Sequence, residues 1–216
     1  MTNNHSQTTT KWNPGWKLTA FVLFFLPILV TLAFWQLDRA EEKRQIIANE
    51  QYRRAQLPVA LGQLDVTAAA SYISVLLTGK FDNEKPFLLD NQQYRSRFGY
   101  EIISPFFDLN SNQTVLISRG WVQGSLDRSE LPALAKVTGL QSLEVEIYVP
   151  LGKPFLLAEQ TMGAAWPKVI QAVEVDKMAA SLGSDVFPYV LRLKEANPGV
   201  YERHWQGVNV PGHKHT

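Results

Sequence analysis

The stretch FGYEIISPFFDLNSNQTVLISRGWV, residues 98–122, decides the fold of this chain. β-Branched and aromatic residues dominate its two halves, and DLNSN at residues 108–112 has the composition of a hairpin turn between two strands. Runs of the same kind recur at SYISVLLTGKF (71–81), PFLLD (86–90), SLEVEIYVP (142–150) and FPYVLRLK (187–194). This pattern predicts an antiparallel sheet or a partly closed barrel.

One short helix is predicted among these strands, over VDKMAASLG at residues 175–183. Asp176 is the expected N-cap and Gly183 the residue that closes the helix. The predicted fold class is therefore α+β, in which a transmembrane helix precedes a β-rich domain with one or two short helices.

The transmembrane helix is predicted from LTAFVLFFLPILVTLAFWQL at residues 18–37, which contains no charged side chain. A helix of about 20 residues spans roughly 30 Å, the thickness of a hydrocarbon core. Trp16 and Trp35 stand near its ends, where indole rings favour the membrane interface, and Pro27 is tolerated in lipid. A cleaved signal peptide is the alternative, but the apolar run is longer than a usual signal core and no A-x-A-like site follows. The sequence thus predicts an uncleaved anchor in the lipid bilayer.

The remaining boundaries follow from changes in composition. A polar tail covers residues 1–16, and the anchor covers residues 17–37. A juxtamembrane helix, in which acidic and basic side chains are mixed, covers residues 38–57. The β-rich domain covers residues 58–208, and residues 209–216 form a return segment to the membrane. Basic residues are more numerous after the span than before it, which favours a cytoplasmic domain, but acidic residues interleave with them. The residues alone leave the orientation open.

Composition excludes several classes of function. The net charge is +1 and 19% of residues are charged, so no bulk field favours nucleic acid. The chain has no cysteine, which removes disulfides, thiol catalysis and thiolate metal sites. Ser118 and Ser125 lie in no G-x-S-x-G setting, and no zinc-protease or phosphate-loop motif is present. His204, in YERHW, is predicted to be a structural histidine. The residues alone therefore nominate no catalytic centre.

Several blocks of sequence together resemble a known family. FWQLDRAEEK (34–43) follows the apolar span, LLDNQQYRSRFGYEIISPF (88–106) precedes VLISRGWVQGSLDRSELP (115–132), and WPKVIQAVEVDKMAASLG (166–183) precedes FPYVLRL. In this order they resemble the surfeit-locus cytochrome c oxidase assembly family, whose usual Asn-Arg pair appears here as Ser118-Arg119. The motif residues are Trp35, Gln36, Arg39, Asp90, Asn91, Gly99, Tyr100, Pro105, Arg119, Gly120 and Trp121. A role in building the fold is the favoured interpretation of these residues, and a binding surface is the alternative.

The resemblance implies a membrane-anchored assembly factor that assists delivery of haem a to the oxidase, or its insertion there. It implies a bacterial inner-membrane protein with its main domain in the periplasm and a second membrane helix beyond Thr216. The implied partners are the catalytic subunit of cytochrome c oxidase and the haem a synthesis machinery. A membrane-anchored extracytoplasmic binding or sensor domain without a haem role is the alternative.

The family also has a histidine at the threshold of its second membrane helix, implicated in haem binding. His215 fits that position best, and His213 is the second candidate, so the resemblance implies haem iron bound through His215. Neutral imidazole is a good axial ligand for haem iron. Residues i and i+2 point about 200° apart on a helix, so both histidines share one iron only if the chain is extended there. A solvated tail without a ligand role is the alternative.

Overall fold

The computed structural model describes residues 15–64, 72–125, 128, 130–149 and 162–205. Contacts divide the chain into two units, Met1–Ala48 and Asn49–Thr216. Helix α1, Trp16–Arg54, begins in the first unit and ends in the second.

The apolar run and the charged residues after it form this one helix. Its apolar side chains between Leu18 and Leu37 are exposed. Pro27 lies inside the helix, and the Thr31 hydroxyl donates a hydrogen bond of 2.8 Å to the Pro27 carbonyl. Among the described residues, α1 is the one helix long and apolar enough to cross a membrane. Its charged part carries exposed ion pairs three residues apart, such as Arg39–Glu42 at 2.8 Å.

The second unit is built on a sheet. In the described part of the chain its eight strands are β1 (Val59–Ala60), β2 (Ser74–Phe81), β3 (Phe87–Tyr94), β4 (Arg97–Asp108), β5 (Gln113–Gln123), β6 (Gln141–Tyr148), β7 (Lys168–Ile170) and β8 (Val186–Leu193). Their order is β1-β2-β6-β8-β5-β4-β3-β7, and β2 also pairs with β4. Strands β2, β6, β8, β5 and β4 therefore close into a ring, which confirms the predicted barrel.

Most neighbouring strands are antiparallel, as the sequence predicts, but three pairs are parallel: β1–β2, β3–β7 and β5–β8. The parallel partner of β5 is reached through the long connection from residue 123 to residue 186, so no local turn pattern could show it. Strands β1 and β7 were not predicted, since runs of two or three residues are too short to display a period.

Helix α2, Val175–Leu182, corrects one prediction. Its N-cap is Glu174, whose backbone is extended (φ −120°, ψ 90°), so Asp176 lies in the first turn rather than at the cap. The Glu174 side chain makes no capping hydrogen bond, so backbone conformation and not the side-chain preference decides where the helix begins. Acidic Asp176 still faces the positive end of the helix dipole. Gly183 closes the helix at φ 70°, as predicted.

The core lies on both sides of the barrel wall. Inside the ring, fourteen buried side chains form one cluster, in which Leu77, Val145 and Leu191 are fully buried. The cluster extends from Leu61, in the short 3-10 turn Leu61–Gln63 that follows β1, to Leu193 at the end of β8. Outside it, Met178 of α2 packs on β3, β4, β5, β7 and β8 through a second cluster. Strands β4, β5 and β8 are thus covered on both faces, which explains why their sequences are nearly continuous apolar runs.

Candidate functional site

The predicted haem ligands lie outside the described residues. His213 and His215 follow Trp205, the last residue that the structure describes, so their ligand role stays a prediction. The motif residues of the anchor lie on α1, where Trp35 is exposed and Arg39 pairs with Glu42. The other motif residues belong to the second unit and gather at two places on strands β3, β4 and β5.

The first place is a β-bulge in strand β3. The pairing register between β3 and β4 shifts between Leu89 and Gln92, and Asn91 adopts a left-handed conformation (φ 59°). Asparagine tolerates this conformation better than most residues. The Asp90 carboxylate accepts hydrogen bonds from the Asn91 amide at 2.6 Å and from the Arg128 guanidinium at 3.0 Å. Asp90 and Asn91 therefore form the bulge and tie it to the loop that carries Arg128.

Gly99 and Trp121 pack together beside this bulge. A Cβ on Gly99 would lie 2.3 Å from the Val122 carbonyl oxygen and 2.5 Å from the Trp121 ring, so glycine is needed there. Trp121 is 4% exposed, and its indole N–H donates to the Gln92 carbonyl at 2.8 Å. The described contacts of Gly99 and Trp121 are therefore packing contacts within the fold.

Two further motif residues of β4 are also buried. Tyr100 is 3% exposed and stands edge-on to Phe98, with 5.2 Å between ring centroids. Burial raises the pKa of the Tyr100 phenol, Asp90 raises it further, and Arg128 partly offsets both effects. Pro105 pairs with Leu116 across β5, and its carbonyl accepts a hydrogen bond from the Asp82 amide at 2.9 Å. Tyr100 is thus a neutral packing residue at physiological pH.

The second place is built around Arg119, which is 2% exposed. Its Nε donates to the Gly199 carbonyl at 2.8 Å and its Nη2 to the Ala135 carbonyl at 2.9 Å. The guanidinium carbon lies 5.3 Å from the Phe81 ring centroid and 4.8 Å from that of Tyr201. Burial lowers the pKa of Arg119, while Tyr201 raises it, and arginine remains protonated in proteins. Arg119 thus joins the barrel to two segments distant in the sequence.

Gly120 receives the last described segment of the chain, residues 201–205, which we name the YERHW segment. Gly120 has φ 116°, and a Cβ there would lie 2.9 Å from the Glu202 carbonyl oxygen. The Tyr201 amide donates to the Arg119 carbonyl, and the Trp121 amide to the Glu202 carbonyl, both at 2.6 Å. The arginine and glycine of the R-G-W motif therefore dock the YERHW segment against β5.

Sequence reasoning missed a buried polar group beside this docking point. We name the Glu101 cluster by its four members, Glu101, Ser118, Arg192 and His204. Glu101 is 8% exposed and Ser118 is fully buried. The Ser118 hydroxyl donates to one carboxylate oxygen of Glu101, and His204 Nε2 lies 3.4 Å from the other. The Arg192 guanidinium stacks 3.5 Å from the Tyr148 ring centroid.

The neighbours of Glu101 keep its carboxylate ionised. Burial alone raises the pKa of Glu101, but the hydrogen bonds of His204 and Ser118 lower it. The charges of His204 and Arg192 also lower it, and the net result is a pKa below the ordinary 4.5. Two buried nitrogens in the cluster, His204 Nδ1 and Arg192 Nε, have no hydrogen-bond partner within the described ranges. His204 is half-buried and held by Glu101, consistent with the structural role predicted from the sequence.

The cluster does not have the arrangement of a catalytic triad. The Ser118 hydroxyl donates to the carboxylate rather than to the imidazole, so the serine–histidine hydrogen bond of a triad is missing. The hydroxyl is also fully buried. Among the described residues, no group of three or more histidine or acidic side chains lies close enough to hold a metal ion.

A signal for the cluster was present in the sequence. Glu101 and Arg192 are charged residues inside apolar strand runs, YEIIS and VLRLK, where a charge needs a partner to be buried. The sequence could not name the partners, because Ser118, Arg192 and His204 lie on different elements.

The lowered pKa of Glu101 predicts a stability change in acid. A carboxyl group whose folded pKa lies below its unfolded value stabilises the fold fully above 4.5, and this contribution is lost as the pH falls lower. We expect the unfolding free energy of the wild type to decline below that pH. In Glu101→Gln it should be lower at pH 7 and decline less steeply in acid.

Urea unfolding of the detergent-solubilised chain between pH 3 and pH 7 measures both slopes. Glu84→Gln is a suitable control, because Glu84 is exposed and pairs with Lys136 on the surface. Equal acid slopes for wild type and Glu101→Gln would contradict the assignment of an ionised, stabilised Glu101.

Comparison with known proteins gives matches over most of the chain. The model of the SURF1 family matches residues 23–216. A SURF1-like protein of Rickettsia felis is 30% identical over 107 residues, 49% of this chain and 46% of the relative. A SURF1-like protein of Rickettsia bellii is 32% identical over 107 residues, 49% of this chain and 42% of the relative.

A eukaryotic protein also matches. The cytochrome oxidase assembly protein SHY1 of Saccharomyces cerevisiae is 28% identical over 112 residues, 50% of this chain and 29% of the relative. The chain therefore spans less than half the length of these curated relatives.

Proposed function

We propose that this chain, which belongs to the SURF1 family, is a membrane-anchored assembly factor for cytochrome c oxidase. The observation that carries the proposal is the family match over residues 23–216, which includes the barrel and most of the apolar part of α1. The similarity to SHY1, whose name states a role in cytochrome oxidase assembly, agrees with it. The proposed location is the bacterial inner membrane, held by α1, with the barrel in the periplasm.

The finer proposal is that the chain assists delivery of haem a, or its insertion, into the catalytic subunit of the oxidase. His215 would be an axial ligand of the haem iron, and His213 a weaker second candidate. Imidazole chemistry supports this, because a neutral histidine is a common axial ligand of haem. The chain offers no competing thiolate, as it contains no cysteine.

The proposed role is that of a carrier and not of an enzyme. In the Glu101 cluster, which does bring a serine, a histidine and a carboxylate together, the hydroxyl is buried and contacts the carboxylate rather than the imidazole. The proposed partners of the protein are the catalytic subunit of the oxidase and the machinery that synthesises haem a. They would meet the protein at the membrane surface, where α1 leaves the apolar run.

Deletion of the gene tests the proposal. We expect membranes of the deletion strain to lose most of their cytochrome c oxidase activity, with recovery when the wild-type gene is supplied on a plasmid. The matched control is a second plasmid encoding Arg128→Ala, an exposed position outside the barrel core, which should restore activity equally.

Unchanged oxidase activity in the deletion strain would contradict the assembly role. It would favour instead a membrane-anchored binding or sensor domain without a haem role.

A further inference from the structure

We propose that the outer face of strand β2 is a docking surface for an extramembrane part of the oxidase catalytic subunit. We name this surface the β2 face and define it by Lys80 and the four exposed apolar side chains around it, Leu76, Phe107, Leu109 and Leu140. The inference rests on the proposed function, because the partner is the one inferred there. It adds the part of the barrel that the partner contacts.

Strand pairing brings these side chains together. Lys80 pairs with Phe107 of β4 on one side. On the other side, Leu140 directly precedes the β6 residue that pairs with the position before Lys80. The Leu109 amide donates a hydrogen bond of 2.8 Å to the Thr78 carbonyl, which places Leu109 beside β2 as well. Three strands therefore contribute to one continuous surface.

The alternation of side chains along β2 directs this surface away from the core. Val75, Leu77 and Phe81 are buried in the cluster inside the ring. Positions 76, 78 and 80 therefore face outward, since successive side chains of a strand point to opposite faces. The β2 face extends about 13 Å along β2 and about 10 Å across the three strands.

The β2 face is uncovered, whereas helix α2 covers another part of the outer wall. Met178 of α2 packs over β4, β5 and β8. The four apolar side chains of the β2 face remain 42% to 58% exposed, so no described element covers them in the same way. Contiguous exposed apolar side chains mark interaction sites, while single ones are ordinary. An 8-residue helix such as α2 is about 12 Å long, so a partner element of that size would cover the β2 face.

Lys80 determines what kind of surface fits the β2 face. Its side chain is exposed, and none of the ion pairs between described residues includes it. Glu144, which pairs with Leu76 across β2 and β6, is already bound to Lys194. An ammonium group is costly to bury without a partner, so a surface that covers Lys80 must supply a carboxylate. The expected partner surface therefore carries apolar side chains around an acidic residue.

Two other occupants lack that carboxylate. In a twofold contact between two copies of this chain the same patch faces itself, so two Lys80 ammonium groups would approach each other near its centre. The hydrocarbon core of a bilayer offers apolar surroundings but no acidic group. A folded protein partner can supply both, which favours the catalytic subunit.

The β2 face has the size of an interface centre. Its footprint of about 13 Å by 10 Å is much smaller than the roughly 800 Å² that each partner buries in a standard interface. Interfaces concentrate apolar residues at the centre and polar ones at the rim, and central residues carry most of the binding energy. Thr78 and Ser142, which pair with each other, are polar neighbours of the β2 face. Changes at Lys80, Leu109 or Leu140 are therefore expected to weaken the contact strongly.

Photo-crosslinking in the native host tests the surface directly. The photoreactive amino acid p-benzoylphenylalanine replaces Leu109 or Leu140 in the full-length protein, and antibodies against the catalytic subunit identify the adduct. Val169 is the matched control position, because it is 41% exposed and lies on β7, at the edge of the sheet and outside the ring. We expect adducts with the catalytic subunit from positions 109 and 140 and none above background from position 169.

A charge reversal tests the role of Lys80. We expect Lys80→Glu, combined with the photoreactive residue at position 109, to lower the yield of this adduct by at least about tenfold, because the partner carboxylate then meets a like charge. Lys80→Arg should keep the yield. Arg97→Glu is the control reversal, because Arg97 is exposed and begins β4, at the opposite end of that strand from Phe107. An unchanged yield in Lys80→Glu would overturn the inference.

The outcomes separate this inference from the proposed function. Normal oxidase activity in the deletion strain defeats the proposed function. Loss of activity in that strain, with no adduct to the catalytic subunit from position 109 or 140, defeats this inference alone. Adducts only to a second copy of the chain, or only to lipid, also overturn it. If circular dichroism shows that one labelled variant fails to fold, the other labelled position decides the question.

Discussion

Replacing Arg119 by alanine is expected to lower the unfolding free energy by about 3–5 kcal/mol. The change removes two hydrogen bonds, leaves the carbonyls of Gly199 and Ala135 without their donor, and empties the space between two aromatic rings. Domains are stable by only about 5–15 kcal/mol, so much of the population would unfold or aggregate. Urea unfolding followed by tryptophan fluorescence measures the loss.

Two further variants serve as comparisons for Arg119→Ala. Arg119→Lys keeps the charge but cannot reach both carbonyls with a rigid fork, so an intermediate loss is expected. Arg128→Ala removes an exposed arginine that also touches a carboxylate and a ring, and it should cost less than about 1 kcal/mol. Equal losses at positions 119 and 128 would refute the role of Arg119 as the residue that joins the barrel to residues 135 and 199.

Replacing His215 by alanine is expected to remove most of the haem that the full-length protein carries when haem a is made. Loss of an iron ligand should weaken haem binding by at least about tenfold. Mutating a residue that only hydrogen-bonds to a metal ligand already lowers metal affinity by about 10- to 100-fold. His213→Ala should have a smaller effect, since the two side chains diverge where the chain is helical. The absorption spectrum and haem content of the purified protein measure both effects.

His5→Ala is the matched control for His215→Ala. His5 lies in the polar tail before the anchor, on the opposite side of the membrane from the barrel in the proposed topology. It should therefore leave haem content unchanged. Unchanged haem in His215→Ala would defeat the ligand assignment, and the assembly role would then rest on contacts with the oxidase.

The barrel was predictable from the sequence because its five strands are long enough to show their composition. Strands β2, β4, β5, β6 and β8 have 8 to 12 residues each, rich in β-branched and aromatic side chains. The turn composition of residues 108–112 also predicted the β4–β5 hairpin. Strands β1 and β7 are too short to show a pattern, and the parallel partner of β5 depends on tertiary contacts that local sequence does not encode.

The candidate site was less predictable for a related reason. The motif residues Gly99, Arg119, Gly120 and Trp121 stood out as blocks, but their contacts lie elsewhere in the chain. Gly99 packs against β5, Arg119 donates to the carbonyls of residues 135 and 199, Gly120 contacts the YERHW segment, and Trp121 donates to the β3 bulge. Glu101 and Ser118 are 17 positions apart, and His204 joins them from the far end of the chain. Side chains that come together only when the barrel closes have no characteristic spacing in the sequence, so their contacts cannot be predicted from it.

The measurement that tests the central claim most directly is the haem a content of the oxidase made without this protein. The catalytic subunit would be purified from a strain lacking the gene and from the same strain carrying it on a plasmid. An assembly factor that assists haem a delivery predicts an underloaded catalytic subunit in the first strain and a fully loaded one in the second. A catalytic subunit that is fully loaded with haem a in both strains would contradict the account.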